Sequence, residues 1–208
     1  ASKPDNFLPF LFTGVFLFSY VQGSFTNGAG SIVNRAGLVR SLSFPRVLLP
    51  LSVVMSQTIA LFPQLLVLAV ILLVVQGFGS ITVGWLMMIP LIALMFVFNF
   101  GLAMIMARVT VHVQDLNKLV PFITRIMFYV SGVFFSLEKI FSDPNSIWAK
   151  LIQFNPIFDF LNLARGYLVT GYQVRVEEWI AVIIWSFSLA VIGLIFFWSA
   201  EERYGRED

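Results

Sequence analysis

Three side chains that could do chemistry, Asp159, Asn162 and Arg165, recur at i, i+3 and i+6 along one edge of the otherwise apolar segment 157 to 170. At 14 residues that segment cannot cross a bilayer. It is expected to be re-entrant or interfacial, its backbone covered by protein or facing a water-filled cavity. A second group is basic: Arg35, Arg40 and Arg46 lie between two apolar blocks with no acid among them. Charge of one sign can press on a partner, and it also keeps a loop on the cytoplasmic side. Asn34 is a good N-cap, and Pro45 forces Phe44 out of the helical region, so residues 34 to 44 are expected to form a short loop helix.

Catalytic and metal chemistry finds little material. His112 is the single histidine and cysteine is absent, so no thiolate or clustered-histidine metal site is expected. No Gly-x-x-x-x-Gly-Lys-Ser/Thr, Gly-x-Ser-x-Gly or His-Glu-x-x-His run occurs, so neither nucleotide hydrolysis nor the commonest hydrolase chemistries are built in. The spans also lack the Asp/Glu/His series of a proton-coupled carrier, Arg125 being the only ionisable residue well inside them. Energy for any transport must come from elsewhere.

The elements that position these residues are dictated by composition. The chain has 208 residues, 59% hydrophobic and 12% charged, with a mean hydropathy of +0.90, against roughly 25% charged in globular domains. Lipid is the solvent that asks for such a surface, so the chain is read as an all-α integral membrane protein forming one transmembrane domain over residues 1 to 208. A net charge of +2 comes from arginines at the membrane edge and implies no nucleic-acid partner. Residues 1 to 6 are not a secretory signal, and they read as a loop in the middle of a larger design.

Five spans are expected, at residues 7 to 25, 48 to 75, 83 to 107, 119 to 135 and 179 to 198. Asn99, inside the third, is expected to bond a neighbouring helix. Arg125, inside the short fourth, either snorkels to an interface or lines a polar path. Residues 108 to 118, with Arg108 and Asp115, read as a second charged loop, and 136 to 155 as a polar connection. Phenylalanine occurs 23 times. Aromatic faces either meet lipid and packing partners or stack on sugar rings, and Phe12, Phe16 and Tyr20 of the first span are the candidates for lining a glycan path.

Five spans put the termini on opposite sides. With residues 34 to 46, 108 to 118 and the tail placed in the cytoplasm, that side holds Arg35, Arg40, Arg46, Arg108, Lys118, Arg125, Arg203 and Arg206, eight in all. The other side holds Lys3, Lys139, Lys150, Arg165 and Arg175, five in all, which favours this orientation.

Several motifs together resemble a family. Ser31-Ile-Val-Asn-Arg35 running to Ser43-Phe-Pro-Arg-Val-Leu-Leu-Pro50 resembles the block after the second span in permease subunits of ATP-binding-cassette exporters for O-antigen, teichoic acid and galactan. Val109-Thr-Val-His-Val-Gln-Asp-Leu116 is similar to that family's Asn-Val-x-x-Arg-Asp, with Gln114 in place of arginine. Tyr129-Val-Ser-Gly-Val133 resembles its Ser-Pro-Val, with Gly132 in place of proline. Phe154-Asn-Pro-Ile157, Ala164-Arg-Gly166 and Glu202-Arg-Tyr204 complete the pattern, and the phenylalanine-rich version looks most like the actinobacterial galactan exporter.

The resemblance implies a homodimer of six-span subunits in the bacterial plasma (inner) membrane, exporting a lipid-pyrophosphate-linked glycan. It implies two copies of a cytoplasmic ATPase, which bind the ATP and Mg that this chain does not. The ATPase would dock on a coupling helix at residues 34 to 44, with Asn34, Arg35, Arg40, Phe44, Pro45 and Arg46 as coupling residues. It also implies short gate helices on the outer side within residues 137 to 172, with Asn155, Pro156, Asp159, Asn162 and Arg165 as gate residues. The alternatives are a permease for a drug or lipid, and a membrane scaffold without transport.

The charge split predicts that cysteines placed at Ser41 and Asn117 are shielded from an impermeant outside reagent while one at Ser142 reacts. Labelling of Ser41 in intact cells would reverse the orientation.

Overall fold

The computed structural model describes residues 7 to 35, 37, 44 to 113, 115 to 134 and 154 to 199. Arg40 and most of the expected coupling helix, Gln114, the gate region from 137 to 153 and the tail from residue 200 lie outside the described residues.

The described chain is helical. Helix α1 is Phe7–Ala29, followed by a 3₁₀ turn at Val33–Arg35; α2 is Leu48–Gln76; a second turn at Val83–Met87 leads into α3, Met88–His112. Then come α4, Leu116–Val130, the short α5, Pro156–Leu168, and α6, Val176–Trp198. Among the described residues four segments are long and apolar enough to cross a membrane: α1, α2, α6, and α3 with its leading turn.

Three expected boundaries shift, each for a physical reason. The first span runs on to Ala29 because its last turn packs: Gly28 lies against Ala103, where an added Cβ would stand 2.8 Å from the Ala103 Cα. The third helix continues to His112, which leaves only residues 113 to 115 as the charged loop and places Arg108 on a helix. The fourth span is a helix of only 15 residues, about 22 Å against a hydrocarbon core of about 30 Å. It gives way to a turn at Ser131 and Gly132, where Gly132 has φ 65, a left-handed value that costs glycine little.

Packing explains which apolar residues are inside. The main core gathers Leu17, Phe18 and Val21 of α1, Leu61, Leu68 and Leu72 of α2, and Leu91, Met95 and Phe98 of α3 around Phe160, Leu161 and Ala164 of α5. The short helix is thus at the centre of the molecule. Met55, Ile59, Phe62, Leu66 and Val70 form an exposed stripe on α2, and Ile180, Ile184, Phe187, Val191 and Ile195 form one on α6. Such stripes at helical spacing belong to lipid contact.

The closest helix approach uses missing side chains. A Cβ at Gly101 of α3 would lie 2.5 Å from the Leu189 carbonyl of α6, and one at Gly193 would lie 2.6 Å from the Gly101 carbonyl oxygen. Small residues let backbones meet where lipid offers no hydrophobic drive. Gly101→Ala is expected to push α3 and α6 apart and lower stability by about 1–3 kcal/mol, visible as a lower melting temperature in detergent. An unchanged melting temperature would mean that this contact is not tight.

Candidate functional site

The helix that sequence marked as too short to span is held at its start by its own residues. Asn155 caps it, its side-chain oxygen accepting from the Ile157 N–H at 3.0 Å, and Pro156 takes the first helical position, where a missing N–H costs nothing. The Asn155 amide also donates to the Ser131 hydroxyl at 3.2 Å and the Val130 carbonyl at 3.4 Å, tying the start of α5 to the end of α4. At the far end Gln76 of α2 donates to the Leu168 carbonyl at 3.2 Å and accepts from the Thr170 N–H at 2.9 Å.

Arg165 fixes the middle. The residue is 0% exposed. Its guanidinium donates to the carbonyls of Gly132 and Val133 at 3.0 Å each and of Phe10 at 3.3 Å, and it lies 3.5 Å over the Phe10 ring. A Cβ at Gly14 would collide with it, so glycine there makes room for the arginine. The cation is satisfied by carbonyl dipoles and an aromatic face instead of a carboxylate. It thereby clasps α1, α5 and the turn after α4.

The other two members of the edge turn toward α6. Asp159 is buried beside Glu178, and Asn162 faces the same Glu178. Burial first, and then the Glu178 carboxylate, raise the Asp159 carboxyl to about 7. At neutral pH the Asp159 carboxyl is therefore protonated part of the time, which eases two carboxylates so close together. Next to them Trp179 donates to the Tyr167 hydroxyl at 2.9 Å.

At the opposite end of the helices lie the described coupling residues. Asn34 and Arg35 belong to the 3₁₀ turn Val33–Arg35. Arg35 donates to the Ser52 hydroxyl of α2 at 2.9 Å. The Pro45 and Arg46 carbonyls accept from the N–H groups of Leu48 and Leu49, and Phe44 packs on a cluster that includes Ile32, Leu49, Met104 and Phe197. Arg108 bonds the Phe196 carbonyl and the Ser199 hydroxyl, so it ties α3 to the end of α6. Asp115 pairs with Lys118 at 2.8 Å, but both are over 80% exposed, and such a pair is worth about 0–1 kcal/mol.

The aromatic candidates divide. Phe12 and Phe16 are half-buried against the core. Tyr20 is 2% exposed and its hydroxyl meets that of Thr58 at 2.8 Å, so it offers no face to a passing molecule. On and after α4 the aromatics Phe122, Tyr129 and Phe134 are exposed, with Arg125 exposed on the same helix. Asn99 is fully buried and both polar atoms of its amide lack a hydrogen-bond partner, contrary to expectation. Gln76 is absent from the sequence candidates, and only its cross-helix partners reveal it. Among the described residues no group of three or more His, Cys, Asp or Glu is placed to hold a metal.

A family model described as ABC-2 type transporter matches residues 3–169. Among curated proteins, an O-antigen export system permease protein RfbA of Klebsiella pneumoniae is 28% identical over 201 residues, 96% of this chain and 74% of that protein. One with the same description from Myxococcus xanthus is 24% identical over 200 residues, 96% of this chain and 72% of its own.

Arg165→Met keeps most of the volume and removes the donors that the Gly132 and Val133 carbonyls, outside any helix, bond to. Each buried orphan costs about 1–3 kcal/mol, so the variant is expected to melt well below the parent and to expose the end of α5 to protease. An unshifted melting temperature would show that the clasp does not hold the short helix.

Proposed function

We infer the function from one premise: this chain belongs to the ABC-2 type transporter family and is a multi-pass helical protein of the bacterial inner membrane. It is the permease subunit of an exporter that moves a lipid-linked polysaccharide of O-antigen or galactan type across that membrane. ATP hydrolysis in a separate cytoplasmic subunit drives it. The reading is carried by one observation, the similarity to an O-antigen export permease that runs along 96% of the chain.

Particular elements suit this work. Residues 34 to 46 join α1 to α2 on the basic side, and Phe44 roots their end in packed apolar residues. A push delivered there by a docked ATPase reaches α2, α3 and α6 through close-packed contacts of low compressibility. On α4 the exposed stripe of Leu119, Phe122, Ile126 and Tyr129 suits a second copy of this chain, and two copies enclose a conduit more readily than one. Phe12 and Phe16, with the α4 aromatics, would give a sliding glycan weak repeated contacts. Asn155, Pro156, Asp159 and Asn162 sit on the helix that would gate the outer end, and Arg165 anchors it.

Reconstituted with its ATPase, the subunit is expected to raise ATP hydrolysis when the lipid-linked glycan is present. Arg40→Glu replaces an attraction by a repulsion, and it is expected to weaken ATPase retention about tenfold while expression stays near normal. Full ATPase retention and normal export by that variant would remove the coupling role, and an ATPase indifferent to this subunit would favour a scaffold.

A further inference from the structure

The exposed face of α4 has two edges of different chemistry. Lys118, Phe122, Arg125 and Tyr129 recur at i, i+4, i+7 and i+11, which at 3.6 residues per turn sets them within an arc of about 60°. Val120 and Thr124, the buried residues of the helix, lie on the opposite side. All four members of the stripe are exposed, Phe122 by 62% and Tyr129 by 58%. Cation and aromatic therefore alternate along one edge, with the two cations about 10 Å apart. No Asp or Glu occurs within α4. Asp115, just before it, pairs with Lys118, but both are over 80% exposed and such a pair exchanges partners at little cost.

Lipid contact does not account for that edge. The exposed stripes of α2 and α6 hold no charged residue, whereas Arg125 stands well inside α4, where a cation facing hydrocarbon is costly. Snorkelling would explain Arg125 by itself, but not the aromatics set between and beyond two cations. Nor does the fold use the charge: Arg35, Arg108 and Arg165 each bond another element, while Arg125 has no hydrogen-bond or ion-pair partner among the described residues. We propose that this edge of α4 binds the phosphate-bearing head of the cargo, Lys118 and Arg125 meeting the diphosphate and Phe122 and Tyr129 stacking on the adjoining sugar rings. The proposal rests on the exporter reading above and names the residues that hold the cargo's charged end. Two cations a heptad apart with no acid between them select an oxyanion, and aromatic faces at the same spacing select sugar rings beside it. A twofold contact centred on this edge would set Arg125 against its own copy. The apolar edge of Leu119 and Ile126, turned by about 80°, is the one left for a second subunit.

The test is native mass spectrometry of the purified full-length protein in phosphatidylcholine nanodiscs. The probes are undecaprenyl diphosphate carrying a disaccharide and undecaprenyl diphosphate without sugar, with phosphatidylglycerol as competitor. Arg125→Gln is expected to weaken both probes about tenfold, and Arg125→Lys to recover most of that loss. Phe122→Leu combined with Tyr129→Leu keeps the edge apolar, and it is expected to weaken the sugar-bearing probe several-fold and the bare diphosphate hardly at all. Arg125 bonds nothing among the described residues, so Arg125→Gln is expected to melt with the parent; if the double variant melts lower, Arg125→Gln alone decides. Equal binding of the sugar-bearing probe by parent and Arg125→Gln overturns the proposal and leaves the exporter reading standing. Displacement of that probe by an equal amount of phosphatidylglycerol also overturns it, since the edge is then a phospholipid site. A parent that binds neither probe overturns the lipid-linked glycan of the exporter reading together with this proposal.

Discussion

A cation shut away from water has to be met by dipoles, and Arg165 meets that demand with three backbone carbonyls and one aromatic ring. The carbonyls belong to α1 and to the turn after α4, so satisfying the charge also fixes where α5 sits. A 13-residue helix has no span of its own to hold it at depth. The arginine, the Asn155 cap and the Gln76 bridge give it three attachments: one to α1 and the turn after α4, one to the end of α4, one to α2. The left-handed Gly132 presents one of the carbonyls, and Gly14 clears the volume. Each of these choices is costly or pointless alone and makes sense together.

Around that centre the helices divide by what they face. Where α3 meets α6 the contact depends on Gly101 and Gly193, because dispersion at short range replaces the hydrophobic drive that lipid does not provide. Where α2 and α6 meet lipid, large apolar residues stand exposed and need no partner. Helix α4 fits neither pattern, with a short length, a buried Thr124, an exposed Arg125 and exposed aromatics. That mixture suits a surface shared with another protein copy or with a polar path.

The two ends of the bundle carry different chemistry. One end gathers arginines that reach across helices: Arg35 to α2 and Arg108 to the end of α6. The other gathers acids and amides, with Asp159, Asn162 and Glu178 between α5 and α6. Arginines at one end of the bundle and an acid pair at the other make an arrangement with a direction.

Sequence alone determined the solvent, the helical class, four of the crossing helices and the impossibility of a span at residues 157 to 170, because length and hydropathy are local sums that the bilayer reads directly. It also placed Asp159, Asn162 and Arg165 on one edge, since helical spacing is local too. Tertiary structure decided what that edge meets. Hydropathy cannot tell an arginine facing water from one clasped by carbonyls, nor a tyrosine lining a path from one bonded to Thr58, because both differ only in distant partners. The early end of α4 and the long run of α1 were likewise set by Gly132 and by Gly28 against Ala103, a backbone angle and a contact about 75 residues away along the chain. Periodicity carries no record of either, since it measures what a segment prefers and not which neighbour makes room for it.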